Sequence, residues 1–301
     1  MSNVVFKAFA SPTSAKLPNG KPIGDHTYVK TPTKTWPCLG GSSGGRALGS
    51  GSASLAQGTC TGDPIRTTFM GIPSAAGVVY GVNGVCHQIA NRVLYYSGAT
   101  VKGAKGYVET QLTYGTYGIT VPWFLYFIPG LDAVATAVEI SVLVDWNKRV
   151  NTCSSAARAF AASSLEGKIA DLHESISANP PQTREDKIEH HLKEVELLLD
   201  DAGIEQGKVE QVKNLFRDKE TQVTKPTTAL SADQKVTYDA VQAAHQMSEL
   251  SMGFFRDMAG ILGDADFKKV FGRTPDEEFN IIDPSLLGPK GCAPFFMRPS
   301  S

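Results

Sequence analysis

The spacing of apolar residues changes character midway along the chain. Residues 1–10 alternate loosely between apolar and polar and predict an opening strand, and residues 23–30 predict a second. The turn residues Thr31-Pro32-Thr33-Lys34 lead into a short partner over 35–39, completing a β-hairpin. Between 84 and 96 the rhythm becomes helical: Cys86, Ile89, Ala90, Val93 and Leu94 fall on one stripe, with Gly98 as the stop signal. Residues 107–117 return to alternation, with Tyr107, Glu109 and Gln111 opposed to Val108, Thr110 and Leu112, and predict a strand. Beyond that the spacing is almost wholly helical.

Residues 131–151 and 154–176 are helix candidates, and Asn179-Pro180-Pro181 ends the second. Thr183 and Asp186 form a capping-box signature ahead of the stripe Ile188, Leu192, Val195, Leu198 and Leu199; Val209, Val212, Leu215 and Phe216 carry a further helix. A third long candidate covers 231–262 with Ser231 as its cap, and the Pro/Gly-punctuated tail from Thr274 is expected to wrap the surface. The Gly/Ser/Ala-rich stretch 40–62 has too few bulky apolar residues for a core and predicts a mobile loop. A phosphate-cradling role for it is disfavoured, because no Gly-Lys-Ser/Thr follows. The fold class is therefore α+β: a strand-rich part built around one helix over 1–150, followed by a helical part with an irregular tail over 151–301.

Charge divides the chain at the same place. Residues 1–150 carry 12 Lys+Arg against 6 Asp+Glu, and the remainder 17 against 24, so the halves stand at +6 and −7. Opposite charge could dock the halves or draw an anionic substrate to the basic one. The first half has no interleaved Arg/aromatic patch and the whole chain is near neutral, which leaves nucleic-acid binding unsupported. The most apolar stretch, 119–144, is interrupted by Pro122, Pro129, Gly130, Asp132 and Glu139, too often for a membrane span. No basic leader with a long apolar core opens the sequence, so a cytoplasmic location, or export by a leaderless route without a conventional signal peptide, is expected. The five cysteines, Cys38, Cys60, Cys86, Cys153 and Cys292, are odd in number and lack a CxxC pair, which argues for reduced thiols and against a zinc site. Neither a metal nor another cofactor is expected.

The chemistry-bearing stretch is Val79-Tyr80-Gly81-Val82-Asn83-Gly84-Val85-Cys86, a glycine-punctuated turn that delivers a cysteine to the first turn of a helix. A helix start carries about half a positive charge and unpaired N–H groups, which favour a thiolate and can hold an oxyanion. Cys86 is the candidate nucleophile. His26, in the strand pattern Asp25-His26-Thr27-Tyr28-Val29, is the candidate base, because a thiol nucleophile needs a proton acceptor within reach. The order of these two motifs resembles the circularly permuted branch of the papain-like amidohydrolase superfamily of cell-wall hydrolases, which includes the lecithin:retinol acyltransferase-like enzymes; there too the strand histidine precedes the helix cysteine. The resemblance covers residues 22–98. It implies a small papain-like core, Cys86 as nucleophile, His26 as base, and Tyr80 as a substrate-side or oxyanion contact. It further implies a peptide or peptidoglycan-like amide as substrate, with hydrolysis and acyl transfer sharing one acyl-enzyme. The sequence departs from the pattern around the cysteine, where Val85-Cys86-His87 replaces an Asp-Cys-Ser/Asn-type signature. Asn83 and Gln111 are the candidates for a further polar contact.

Each of these residues also has a plainer reading. Cys86 can be a small buried hydrophobe, and His26 a strand histidine satisfied by the backbone. His87, about 100° around the helix from Cys86, is expected to be exposed. His190 and His191 beside Glu189 and Glu194 read as a solvated helix face, His173 and His245 as incidental, Cys38 as structural, and Trp123 to Phe127 as core. The alternative function, from a different class, is a non-catalytic binding or structural protein that uses its helical half for interaction or oligomerisation.

Overall fold

The computed structural model describes residues 3–12, 24–33, 35–36, 44–54, 67–152, 160–223, 239–277, 279 and 281–282. It is α+β. A four-stranded antiparallel sheet has the order β3-β2-β1-β4, from β1 (Asn3–Pro12), β2 (Asp25–Lys30), β3 (Thr35–Trp36) and β4 (Arg46–Ser54). A small meander joins β5 (Thr67–Phe69), β6 (Ile72–Ala75) and β7 (Val78–Val79). The register Ala8↔Val29 and Phe9↔Tyr28 assigns the two faces of the large sheet. Phe9 and Tyr28 stack at 5.3 Å beneath the Lys30 ammonium, while Ala8, Thr27 and Val29 are fully buried on the opposite side.

The stretch expected to be a mobile loop contains strand β4. Its small residues have a packing reason: a Cβ at Gly51 would stand 1.8 Å from the carbonyl oxygen of Ser97, so only glycine lets the strand cross the turn after the first helix. Residues 107–117 also differ from expectation, forming helix α2 (Tyr107–Tyr114) rather than a strand. All of α2 except Val108 is buried, so it has no polar face to reveal a 3.6-residue period. Gly106 at φ +83° and Gly115 at φ +74° bound it.

Helix α1 (Cys86–Leu94) packs on β2, and a short 3-10 helix, Trp123–Phe127, precedes the helical half: α3 (Asp132–Thr152), α4 (Leu165–Ala178), α5 (Arg184–Asp201), α6 (Gln206–Thr221) and α7 (Ala240–Phe271). Gly263, at φ +74°, interrupts α7. The expected cap at Thr183 acts as such, its hydroxyl accepting from Asp186 N at 3.0 Å; α4 starts later than the expected residue 154, because Ser164 caps it, accepting from Gly167 N at 3.0 Å. Ser231, Cys38, Cys60, Cys153 and Cys292 lie outside the described residues. No helix among the described residues is long and apolar enough to cross a membrane.

Candidate functional site

Cys86 is the first residue of α1 and is 3% exposed. Its sulfur sits at the edge of β2, where β3 does not extend. The thiol donates toward Asp25 O at 3.6 Å, and Thr27 stands beside the sulfur, where it favours the thiolate. The structure thus brings Cys86 against the two residues that flank His26. Burial pushes the thiol up to about 11, against donors from Thr27, His87 and its own amide that pull it down. The helix start does what the sequence suggests, in the right direction, and desolvation outweighs it. At neutral pH the resting group is a thiol.

Strand alternation sends the His26 side chain to the face shared with Tyr28, opposite the face of Thr27. His26 is 6% exposed, and its charge opposes protonation of the neighbouring His87. His87 is a correction to the exposed side chain expected: it is 3% exposed, its Nε2–H donates to Asp25 O at 3.1 Å, and Nδ1 shares a hydrogen bond with Thr110 Oγ1 at 3.0 Å. Burial lowers its pKa to about 4 despite the Asp25 carbonyl. The 100° divergence of neighbouring helical positions does not separate Cys86 from His87 here, because β2 passes across the helix start and offers one carbonyl to both.

Tyr80 is buried at 2%, and its amide donates to Pro73 O at 2.8 Å. Asn83 fastens the turn. Its Oδ1 accepts from Val79 N at 2.7 Å and its Nδ2 donates to Gly118 O at 2.6 Å, so its amide is engaged away from the sulfur. Gln111 faces a different cleft with Tyr107, Thr116 and Leu165, and its Nε2 donates to Thr116 Oγ1 at 2.5 Å.

The polar stripe of α1 was not singled out from the sequence, and it organises the region. Gln88 donates to Gly115 O at 3.1 Å, Asn91 to Thr116 O at 2.9 Å, and Arg92 to Tyr117 O at 2.6 Å and Gly118 O at 3.0 Å. Successive turns of the helix read successive carbonyls of one loop. Arg92 also reaches Ala76 O and Asp145 and stacks over Trp146, and burial brings its pKa down to about 9. The signal available was polar residues at i, i+3 and i+4 next to an apolar stripe.

A second buried network corrects the expectation of a solvated His190–His191 face. Glu194 is 1% exposed and accepts from Thr116 N at 2.6 Å, from the Thr116 hydroxyl, and from His173 Nε2 at 3.1 Å. His191 is 6% exposed; its Nε2–H donates to Leu112 O at 2.8 Å, which leaves Nδ1 to accept from Thr120 Oγ1 at 3.0 Å. Burial raises the Glu194 pKa, but His173, Thr116 and His191 together bring it below the ordinary value. His173 is thus a buried partner and not incidental. No group of three His, Cys, Asp or Glu among the described residues is arranged to hold a metal ion. Compared with protein-family models, curated proteins and solved structures, the chain matches none of them.

Proposed function

We propose that the chain is a cysteine-dependent amide hydrolase or acyltransferase whose thiol rests in a covered, protonated state. The observation that carries this reading is the seating of the Cys86 sulfur, at the first position of α1, on the residues either side of His26. A nucleophile at a helix start beside a histidine-bearing strand is the geometry acyl transfer uses. It also matches the order of motifs in the papain-like resemblance. In the reaction the thiol proton passes to an imidazole as sulfur bonds to the substrate carbonyl carbon. Amides at the α1 start hold the oxyanion, the C–N bond breaks, and the imidazole returns the proton to the leaving amine. Water or a second amine then resolves the thioester. For His26 to be the base, its ring must come round the β2 edge and replace Thr27 at the sulfur.

The test is release of amine from short peptides and peptidoglycan fragments by the full chain, with Cys86→Ala, His26→Gln and His87→Gln beside it. Loss of turnover in Cys86→Ala and His26→Gln, with folding retained, supports the reading. Unchanged turnover in Cys86→Ala, or no turnover by the parent chain across both substrate classes, overturns it.

A second reading, a binding protein that uses its helical half, is favoured by one observation: the buried thiol, pushed up to about 11, rests against β2, while a cleft lined by both apolar and charged side chains lies among α3 to α6. Proteolytic and ligand-induced shifts in the stability of that half would test it.

A further inference from the structure

The chain leaves α7 at Gly272, whose left-handed φ of +67° closes the helix, and its described residues from Arg273 onward form neither helix nor strand. Arg273 anchors this segment. Its Nε–H donates to Glu109 Oε1 on α2 at 2.7 Å and its Nη1 to Glu277 O at 2.8 Å, and the guanidinium stands 5.3 to 5.9 Å from the rings of Phe255, Phe267, Phe271 and Phe279. Farther on, Phe279, Ile281 and Ile282 are buried. The Phe279 ring packs on two glycines at once: a Cβ at Gly106 would stand 2.5 Å from it and one at Gly24 3.9 Å. Ile282 packs on Gly81, where a Cβ would stand 2.9 Å from its Cδ1.

These three glycines belong to the segments that seat the thiol. Gly24 precedes Asp25, whose carbonyl takes both Cys86 and His87; Gly81 lies in the turn that leads into α1; Gly106 caps α2, which supplies Thr110 to His87. Among the described residues, no backbone hydrogen bond ties Phe279, Ile281 or Ile282 to the rest of the chain. Side chains hold the segment in place. It can therefore leave without breaking a sheet ladder or a helix, and such an opening costs less than global unfolding.

We propose that residues 273–282 are an autoinhibitory clamp: seated, they hold the start of β2 and the 79–84 turn against the start of α1, and detached, they free β2 to move off the sulfur. The inference deepens the Cys86 reading and rests on it for its purpose, because that reading requires the β2 edge to move before His26 can reach the thiol. Phe279 bears on Gly24, two residues before His26, so release of the ring is felt first where that movement begins.

Alkylation of Cys86 by iodoacetamide at pH 8, read by mass spectrometry of the peptide that holds it, tests the clamp in the full chain. Val212→Cys, at a buried position on α6, adds a reporter of global unfolding to the same samples. Phe279→Ala should raise the rate at Cys86 about tenfold, with the reporter's rate unchanged. Ile282→Ala should act in the same direction. If Phe279→Ala fails to fold, the parent chain still decides. With the clamp opening locally, alkylation of Cys86 should hardly respond to urea below the unfolding transition while that of the reporter climbs steeply, because only global unfolding exposes enough surface for a large slope. An unchanged rate at Cys86 in both variants, equal factors at both thiols, or one urea slope shared by both thiols would overturn the proposal. The readout needs no turnover, so a parent chain that cleaves no amide counts against the hydrolase reading and leaves the clamp to the labelling rates.

Discussion

The α1 region and the helical half both bury polar side chains, but they satisfy them differently. Around α1, Gln88, Asn91 and Arg92 bond to backbone carbonyls of residues 115–118, which carry no charge to titrate. Around α5 and α6, charge meets charge: Arg184 with Glu139 and Glu220, and Glu194 with His173. The first arrangement fixes a loop conformation, because each carbonyl must stand where the side chain reaches it. The second ties helices together and makes the ties depend on protonation.

The largest expected effect breaks the first arrangement. Arg92→Met should cost about 3–5 kcal/mol in urea unfolding, since it strands the buried carbonyls of Tyr117 and Ala76, leaves Gly118 O to Asn83 alone, and removes the cation over Trp146. A loss below about 1 kcal/mol would mean that the loop is held by something else.

Next come two opposed pH slopes. His87 has its folded pKa lowered from 6.5 to about 4, so the unfolded chain binds the extra proton and stability is lost as pH falls from about 6.5 to 4. Glu220 has its folded pKa raised from 4.5 to about 7, so the folded chain binds the extra proton and stability is lost as pH rises from about 4.5 to 7. Each slope spans on the order of 3 kcal/mol between its ends. The two windows overlap and nearly cancel in the parent chain, so His87→Gln should leave stability falling as pH rises and Glu220→Gln should leave it falling as pH drops, read as unfolding midpoints across pH 4–8. Identical profiles in both variants would erase the distinction between the two regions.

The smallest effect belongs to local structure. Thr183→Ala removes the hydroxyl that accepts from Asp186 N and should cost about 1 kcal/mol in thermal unfolding. Amide exchange should rise first in the opening turn of α5, with α1 unchanged.

Elements with one wet face were legible in advance. The α5 stripe from Ile188 to Leu199 buries Leu192, Val195, Leu198 and Leu199 as its spacing implies. Helix α2 was illegible because it is wet on almost no side, and β4 because its glycines answer to Ser97, distant in sequence, rather than to a local turn. At the candidate site, the position of Cys86 at the start of a helix could be read from the turn before it. The engagement of its sulfur by Thr27 could not, since that depends on how far β3 runs beside β2.

The sequence by itself determined where α1 and α5 start, the apolar stripe that α1 carries, and the division of charge between the halves, because the first two follow from residues within a turn or two of one another and the third from composition alone. Tertiary structure alone decided the protonation of those residues. Whether Cys86, His87, Glu194 and Glu220 hold their protons depends on desolvation and on partners distant in sequence, as Thr116 is 78 residues from Glu194.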